Sequence, residues 1–143
     1  MPAPPPKAPH DVALAFVERI NAHDVAGLCS LMTDEHRFID SLGMELGGRE
    51  NMRRAWIEYF HMVPDFTIEI TRAMSDGQVV ALFGRSWGTF APDGTLLEKN
   101  RWSMPSAWRA VVANQNIAEW QIYADNEPIR FLVANLHSGG GAR

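Results

Sequence analysis

Absences bound this chain before any pattern is read. It has a single cysteine, Cys29, so neither an internal disulfide framework nor a cysteine-rich metal site can form. Cys29 sits beside Leu28 on an apolar helix face and is expected to be an inert core thiol. The five histidines, at 10, 23, 36, 61 and 137, show no metal-ligand spacing of the HExxH kind, and no metal or other cofactor is expected. There is no glycine-rich phosphate loop and no run near the ~18 apolar residues of a membrane-spanning helix. Positive charge is not in excess either: 13 Lys plus Arg against 17 Asp plus Glu give a net charge of -4. A protein that reads a phosphate backbone would carry a basic stripe, so no nucleic-acid partner is expected. No apolar core precedes a cleavage site, and the expectation is a cytoplasmic protein without a membrane partner.

What remains is a chain of 143 residues, the size of one domain, with five tryptophans. Indoles contribute large buried areas, but they also line cavities for organic ligands. The first ten residues, MPAPPPKAPH, hold five of the nine prolines and read as a disordered tail, 1–10. The ordered domain is expected over 11–132, and 133–143, ending in HSGGGAR, as a flexible tail.

Within the domain the hydrophobic periods separate. Ala13, Phe16, Val17 and Ile20 recur at helical spacing, and Asp24 is placed to cap a second helix carrying Val25, Leu28, Leu31 and Met32. HRFIDSLGMEL (36–46) reads as strand. Met52, Ala55, Trp56, Tyr59, Phe60 and Val63 mark a third helix, stopped by Pro64. Everything beyond is sheet: alternating Phe66, Ile68 and Ile70, a turn at Asp76-Gly77, VVALFGRSWGTF (79–90), a turn at Pro92-Asp93-Gly94, RWSMPSAWRAVV (101–112), a turn at Asn114–Asn116, and IAEWQIYAD (117–125). Pro105 inside the long strand predicts a bulge or bend. The order gives an α+β fold: three N-terminal helices on a strongly curved mixed or antiparallel sheet that meanders, a cone-shaped α+β barrel with an internal space.

On four passages, AFVERINAHD, LMTDEHRFIDSLG, GRENMRRAWIEYFHMVPDF and the pair AWRAVV with IAEWQIYADNEPI, the chain resembles the nuclear transport factor two-like superfamily, and within it the SnoaL-like proteins. The resemblance runs from about Val12 to Ile129. It implies the cone fold and a pocket, but not a reaction, since that superfamily includes isomerases, epoxide hydrolases, polyketide cyclases, dehydratases and binding proteins.

Several side chains could carry chemistry. Asp40 matches the general-base aspartate of the ketosteroid isomerases, and a carboxylate against aromatic walls could shuttle a proton. The other reading of Asp40 is a strand-end residue that caps a turn or pairs with an arginine. The isomerase oxyanion donors fall at Phe16 and Ser106, which excludes that apparatus in its known form. Epoxide hydrolases keep an arginine matching Arg85, but their two carboxylates fall at Trp87 and Ile122, so that mechanism is excluded as well. Arg85, if it faces inward, would pair with Asp40 or bind an anionic oxygen. The polyketide cyclases offer a template in which one carboxylate serves as acid and base, with His36 or His61 near the mouth. Asp125 shares a face with Tyr123 and is expected outward, capping the turn before Pro128.

The candidate catalytic residues are therefore Asp40, Arg85 and His36. Phe16, Phe38, Trp56, Tyr59, Trp87, Trp102, Ser106, Trp108 and Trp120 are expected to line a pocket for a small hydrophobic or aromatic molecule. Gly84–Gly88 spells the G-x-S-x-G string of a nucleophile elbow, yet it lies inside a strand where that motif needs a turn into a helix. Two functions stay open, a cofactor-independent cyclase, isomerase or dehydratase and a non-catalytic binding protein. A homodimer through the outer sheet face, where Arg101, Arg109 and Tyr123 lie, is also expected.

Overall fold

A computed structural model describes residues 3–141, with the side chains of the last helix described through Ala134. Ten α and β elements follow in order: α1 (Pro9–Asn21), α2 (Val25–Ser30), β1 (Met32–Ile39), β2 (Glu45–Gly47), α3 (Arg49–Met62), β3 (Thr67–Asp76), β4 (Val79–Thr89), β5 (Arg101–Ala113), β6 (Asn116–Ala124) and α4 (Glu127–Gly141). A single 3₁₀ turn at Glu98–Asn100 leads into β5.

Helix α1 buries Val12, Ala13, Phe16, Val17 and Ile20, the stripe that its spacing predicts. Asp24 caps α2 by accepting the Gly27 N–H at 2.9 Å. That helix stops at Ser30, so Leu31 and Met32 do not extend it. Met32 opens β1, and the Leu31 carbonyl accepts the Ile117 N–H instead of a helical donor. Gly48 enters α3 at φ 96°, a conformation that side chains resist.

The six strands form one sheet in the order β2-β1-β6-β5-β4-β3. The meander β3–β4–β5–β6 is antiparallel throughout, and β1 joins β6 in parallel, which makes the sheet mixed. Asn114 and Gln115 both take positive φ, the two-residue turn whose twist suits a hairpin. Pro105 makes no bulge. The β4–β5 register runs unbroken through Arg85 and Pro105, and pairing with β6 begins only at Ser106, so no ladder bond is lost there. The register instead slips between Ile70 and Arg72 in β3 and between Val111 and Val112 in β5.

Packing of α1, α2 and α3 against the concave face buries the core, in which Trp56, Trp102, Trp108 and Trp120 all take part. On the convex face Glu119 accepts from Arg37 at 2.8 Å and Arg109 at 2.6 Å, tying β1, β6 and β5 together. The Arg37 hydrogen bond and the Arg109 charge hold its carboxyl below the usual range. The sheet does not close, and a fourth helix follows β6. Sequence reading placed no element there, but α4 is helical to Gly141 and packs Ile129 and Leu132 against the core. Residues 1, 2, 142 and 143 of the two expected tails lie outside the described residues. No helix among those described is long and apolar enough to cross a membrane.

Candidate functional site

Strand phase decides what faces the cone. Along β5 the even residues Trp102, Met104, Ser106, Trp108, Ala110 and Val112 are buried, and on β6 Trp120 is sealed inside. Residues paired across an antiparallel ladder share a face, so Trp108 brings Leu82 and Ile122 to the same side. Helix α3 closes over this surface with Met52, Ala55, Trp56 and Tyr59, and β1 contributes Phe38. The elements do not meet completely. They leave a cavity of about 470 Å³ with largely apolar walls, completed by Phe66, Ile68 and Ile129. That size and character suit a small organic ligand.

The mouth is polar and partly exposed. Asp40, Ser41, Met44, Glu45, Leu46, Asn126 and Arg130 border it. Asp40 sits one residue past β1 and accepts two backbone N–H groups on Oδ1, from Leu42 and Met44, each at 2.9 Å. These bonds fix the carboxyl plane within the β1–β2 connection. Oδ2 has no hydrogen-bond partner among the described residues. Glu45, the other carboxylate at the mouth, is tied to Arg37 at 2.7 Å. Asn126 donates to Ser41 and so joins the α4 end of the mouth to the hairpin end.

Six of the expected site residues therefore meet at one cavity: Asp40, Phe38, Trp56, Tyr59, Trp108 and Trp120. Four others point inward but lie in packed core. Phe16 is fully buried against Trp120, with ring centroids 4.8 Å apart. Trp102 packs near Phe66, and Ser106 shares a 2.7 Å hydrogen bond with Ser86. Ser86 is thus a core hydroxyl within β4, not an exposed nucleophile.

His36 is the fourth, and its place near a mouth is corrected. It is 0% exposed, and its Nδ1–H donates to the Ile117 carbonyl at 2.8 Å, leaving Nε2 as a bare lone pair in the core. Burial pushes its pKa below the ordinary 6.5, against a smaller upward pull from the carbonyl bond. Above pH 6.5 the imidazole is neutral in the folded and unfolded chain, and its contribution to stability is whole. Below that value the unfolded chain takes a proton that the fold resists, so stability falls. Urea midpoints should therefore drop between pH 7.5 and pH 5.5, and His36→Phe should remove much of that drop. An equal drop in the variant would contradict the assignment.

Arg85 and Trp87 are corrected too. Both lie on the convex face: Arg85 is exposed and donates to the Ser103 hydroxyl at 2.8 Å, and Trp87 pairs across the ladders with Thr67 and Ser103. Inside β4 the inward positions belong to Gly84, Ser86 and Gly88 instead. A Cβ on Gly84 would stand 1.8 Å from the Glu69 carbonyl oxygen, so only glycine fits where β3 bulges inward. With Arg85 facing outward, neither of its two inward roles, pairing with Asp40 or binding an anionic oxygen in the cone, is open to it. Asp125, as expected, is exposed and caps a turn, accepting the Glu127 N–H at 3.0 Å. The cavity residues that sequence reading did not assign to the site fall in two groups. Met52, Ala55, Phe66, Ile68 and Ile122 come from apolar stripes it read only as core. The others come from 41–46, read as the continuation of a strand, and from the segment from Asn126 into α4, where it placed no strand or helix.

The profile of the SnoaL-like domain matches residues 13–126. No curated protein matches the sequence. Among solved structures, a proposed SnoaL-like polyketide cyclase from Shewanella denitrificans aligns with a TM-score of 0.75 at 14% identity, over 89% of this chain and 97% of that one. A proposed polyketide cyclase from Streptomyces antibioticus, IdmH, gives 0.73 at 19% identity, over 90% and 99%. A protein of Catenulispora acidiphila with a ketosteroid isomerase-like fold, in complex with trimethylamine, gives 0.72 at 18%, over 83% and 88%. At such identities the likeness is one of fold.

Proposed function

Because the chain belongs to the SnoaL-like family, we propose that its cone takes a hydrophobic or aromatic small molecule and that Asp40 moves a proton on it. One observation carries this reading: an apolar cavity whose mouth holds a carboxylate with one oxygen fixed and the other unpartnered. The two backbone bonds on Oδ1 orient the group, leaving Oδ2 able to take a proton from a carbon beside a carbonyl. The electron pair of the broken C–H bond passes into an enolate. The proton then returns to another atom, which gives isomerisation, or to the oxygen formed when the enolate closes on a second carbonyl, which gives cyclisation. Both routes need a carboxylate, a shaped apolar space and a substrate held in reach.

A second reading draws on the same two bonds. Oδ1 capping its own turn is also what a purely structural aspartate does, and the chain would then bind without catalysis. Deuterium exchange separates the two. 2-Tetralone, a bicyclic ketone with acidic hydrogens beside its carbonyl, is incubated in deuterated buffer and followed by NMR. Exchange faster than buffer supports proton transfer; saturable binding with exchange at the buffer rate leaves a binding protein.

A further inference from the structure

Aromatic rings make up much of the cavity wall. Phe38, Trp56, Tyr59, Phe66, Trp108 and Trp120 line it, and they come from β1, α3, the α3–β3 connection, β5 and β6, so rings border the space from several sides. Four of them turn corner by corner. Phe38 meets Trp56 at 72° with centroids 6.5 Å apart, Trp56 meets Tyr59 at 88° and 6.3 Å, and Tyr59 meets Phe66 at 87° and 4.9 Å. An aromatic wall differs from an aliphatic one of equal area in its quadrupole, which places negative charge on the ring face. The charges at the mouth lean the same way. Two carboxylates, Asp40 and Glu45, border it against one cation, Arg130, which is exposed and has Glu127 at 3.9 Å. Asp40 keeps Oδ2 unpartnered among the described residues, and the chain as a whole carries a net charge of -4, which draws cations rather than anions.

We propose that the ligand is an organic cation, a hydrophobic body bearing an alkylated ammonium group that is seated among these rings, with Asp40 balancing its charge from the mouth. This rests on the reading of the cone as a small-molecule site and specifies its substrate class. A cation that enters an apolar space loses its hydration, and the entry is favourable only where fixed groups replace the water. Ring faces do so without hydrogen bonds, which suits an ammonium whose hydrogens are replaced by alkyl groups. A compact anion would find the reverse, ring faces that repel it and carboxylates at the entrance. Where the ligand also carries a ketone, its positive charge stabilises the enolate that forms when Asp40 removes a proton.

The test pairs phenyltrimethylammonium with tert-butylbenzene, which has the same shape and no charge. Both are titrated by proton NMR on their methyl singlets, against wild type, Asp40→Asn and protein grown with 5-fluorotryptophan. Wild type should bind the cation more tightly than the hydrocarbon by about 3- to 30-fold, the range of a cation–π contact away from water. Its methyl signal should move upfield on binding, as protons over ring faces do. Fluorine draws charge from the indole face while nearly keeping its shape, so the fluorinated protein should lose affinity for the cation and keep it for tert-butylbenzene. Asp40→Asn should lose about 2- to 5-fold in cation affinity alone, the size of an exposed charge pair. Unchanged tert-butylbenzene affinity in both altered proteins is the check that the cavity is intact. Equal affinity of wild type for the two compounds, or a preference that persists undiminished in the fluorinated protein or in Asp40→Asn, overturns the cationic ligand while leaving the cavity reading in place. Failure of both compounds to bind overturns the cavity reading and the inference with it.

Discussion

Asp40→Asn is expected to reduce exchange of the 2-tetralone α-hydrogens by about 10²- to 10⁴-fold, the usual contribution of a positioned general base. The substitution is close to isosteric. Its amide oxygen can still accept the Leu42 and Met44 N–H groups that Oδ1 now holds, so the β1–β2 connection keeps its shape. What is lost is Oδ2 as a proton acceptor, because an amide nitrogen in its place carries hydrogens of its own. Ketone affinity should therefore stay near the wild-type value while the rate falls. Exchange in Asp40→Asn at the wild-type rate would remove the assignment. The base would then be sought at Glu45, the remaining carboxylate at the mouth, which is paired with Arg37.

Trp120→Ala should lower stability by about 3–5 kcal/mol in urea unfolding, the range for truncating a large buried aromatic. Trp120 is 1% exposed, touches Phe16 in the core and forms part of the cavity wall. Its removal joins new empty space to the existing cavity, and the surrounding sheet, tied at β6 by ladders on both sides, has little freedom to collapse. Trp87→Ala provides the contrast. That indole is half-buried on the convex face, so its loss should be clearly smaller. Equal losses at the two positions would contradict the strand phases on which the site is built.

Those phases show what could be read from the residues and what could not. On β5 the alternate residues Trp102, Met104, Trp108 and Val112 are large and apolar, so alternation puts Trp102 and Trp108 on the inward face, as the structure has them. Helix α1 was equally legible, because its stripe had polar residues on the other side. On β4 the rule of bulk failed. The inward row is Gly84, Ser86 and Gly88, small because Glu69 and Val63 crowd it, and the large Trp87 takes the roomier convex side. Alternation finds the apolar row only when the interior has room for it. Arg85 followed Trp87 outward for the same reason. His36 shares the strand phase of Phe38 and Asp40, which reads as a place near the mouth, yet a buried carbonyl claims its one donor. The mouth was harder still. Its residues come from the 41–46 connection and from α4, brought together by parallel pairing of β1 with β6, a long-range arrangement with no local period. Helix α4 does leave a trace, Ile129 and Leu132 one turn apart after Pro128, a proline that by itself reads as a turn.

The central claim is an open space inside the cone that a hydrophobic molecule can enter, and filling that space tests it most directly. Ala55 lies on α3 against the cavity, so Ala55→Phe would place a ring in the volume now free. 2-Tetralone binding followed by tryptophan fluorescence should weaken at least about tenfold, a change of 1.4 kcal/mol, while the urea midpoint holds or rises. Unchanged binding, or a stability loss of the ~1–3 kcal/mol that overpacking of a filled core produces, would contradict the cavity and every function assigned to it.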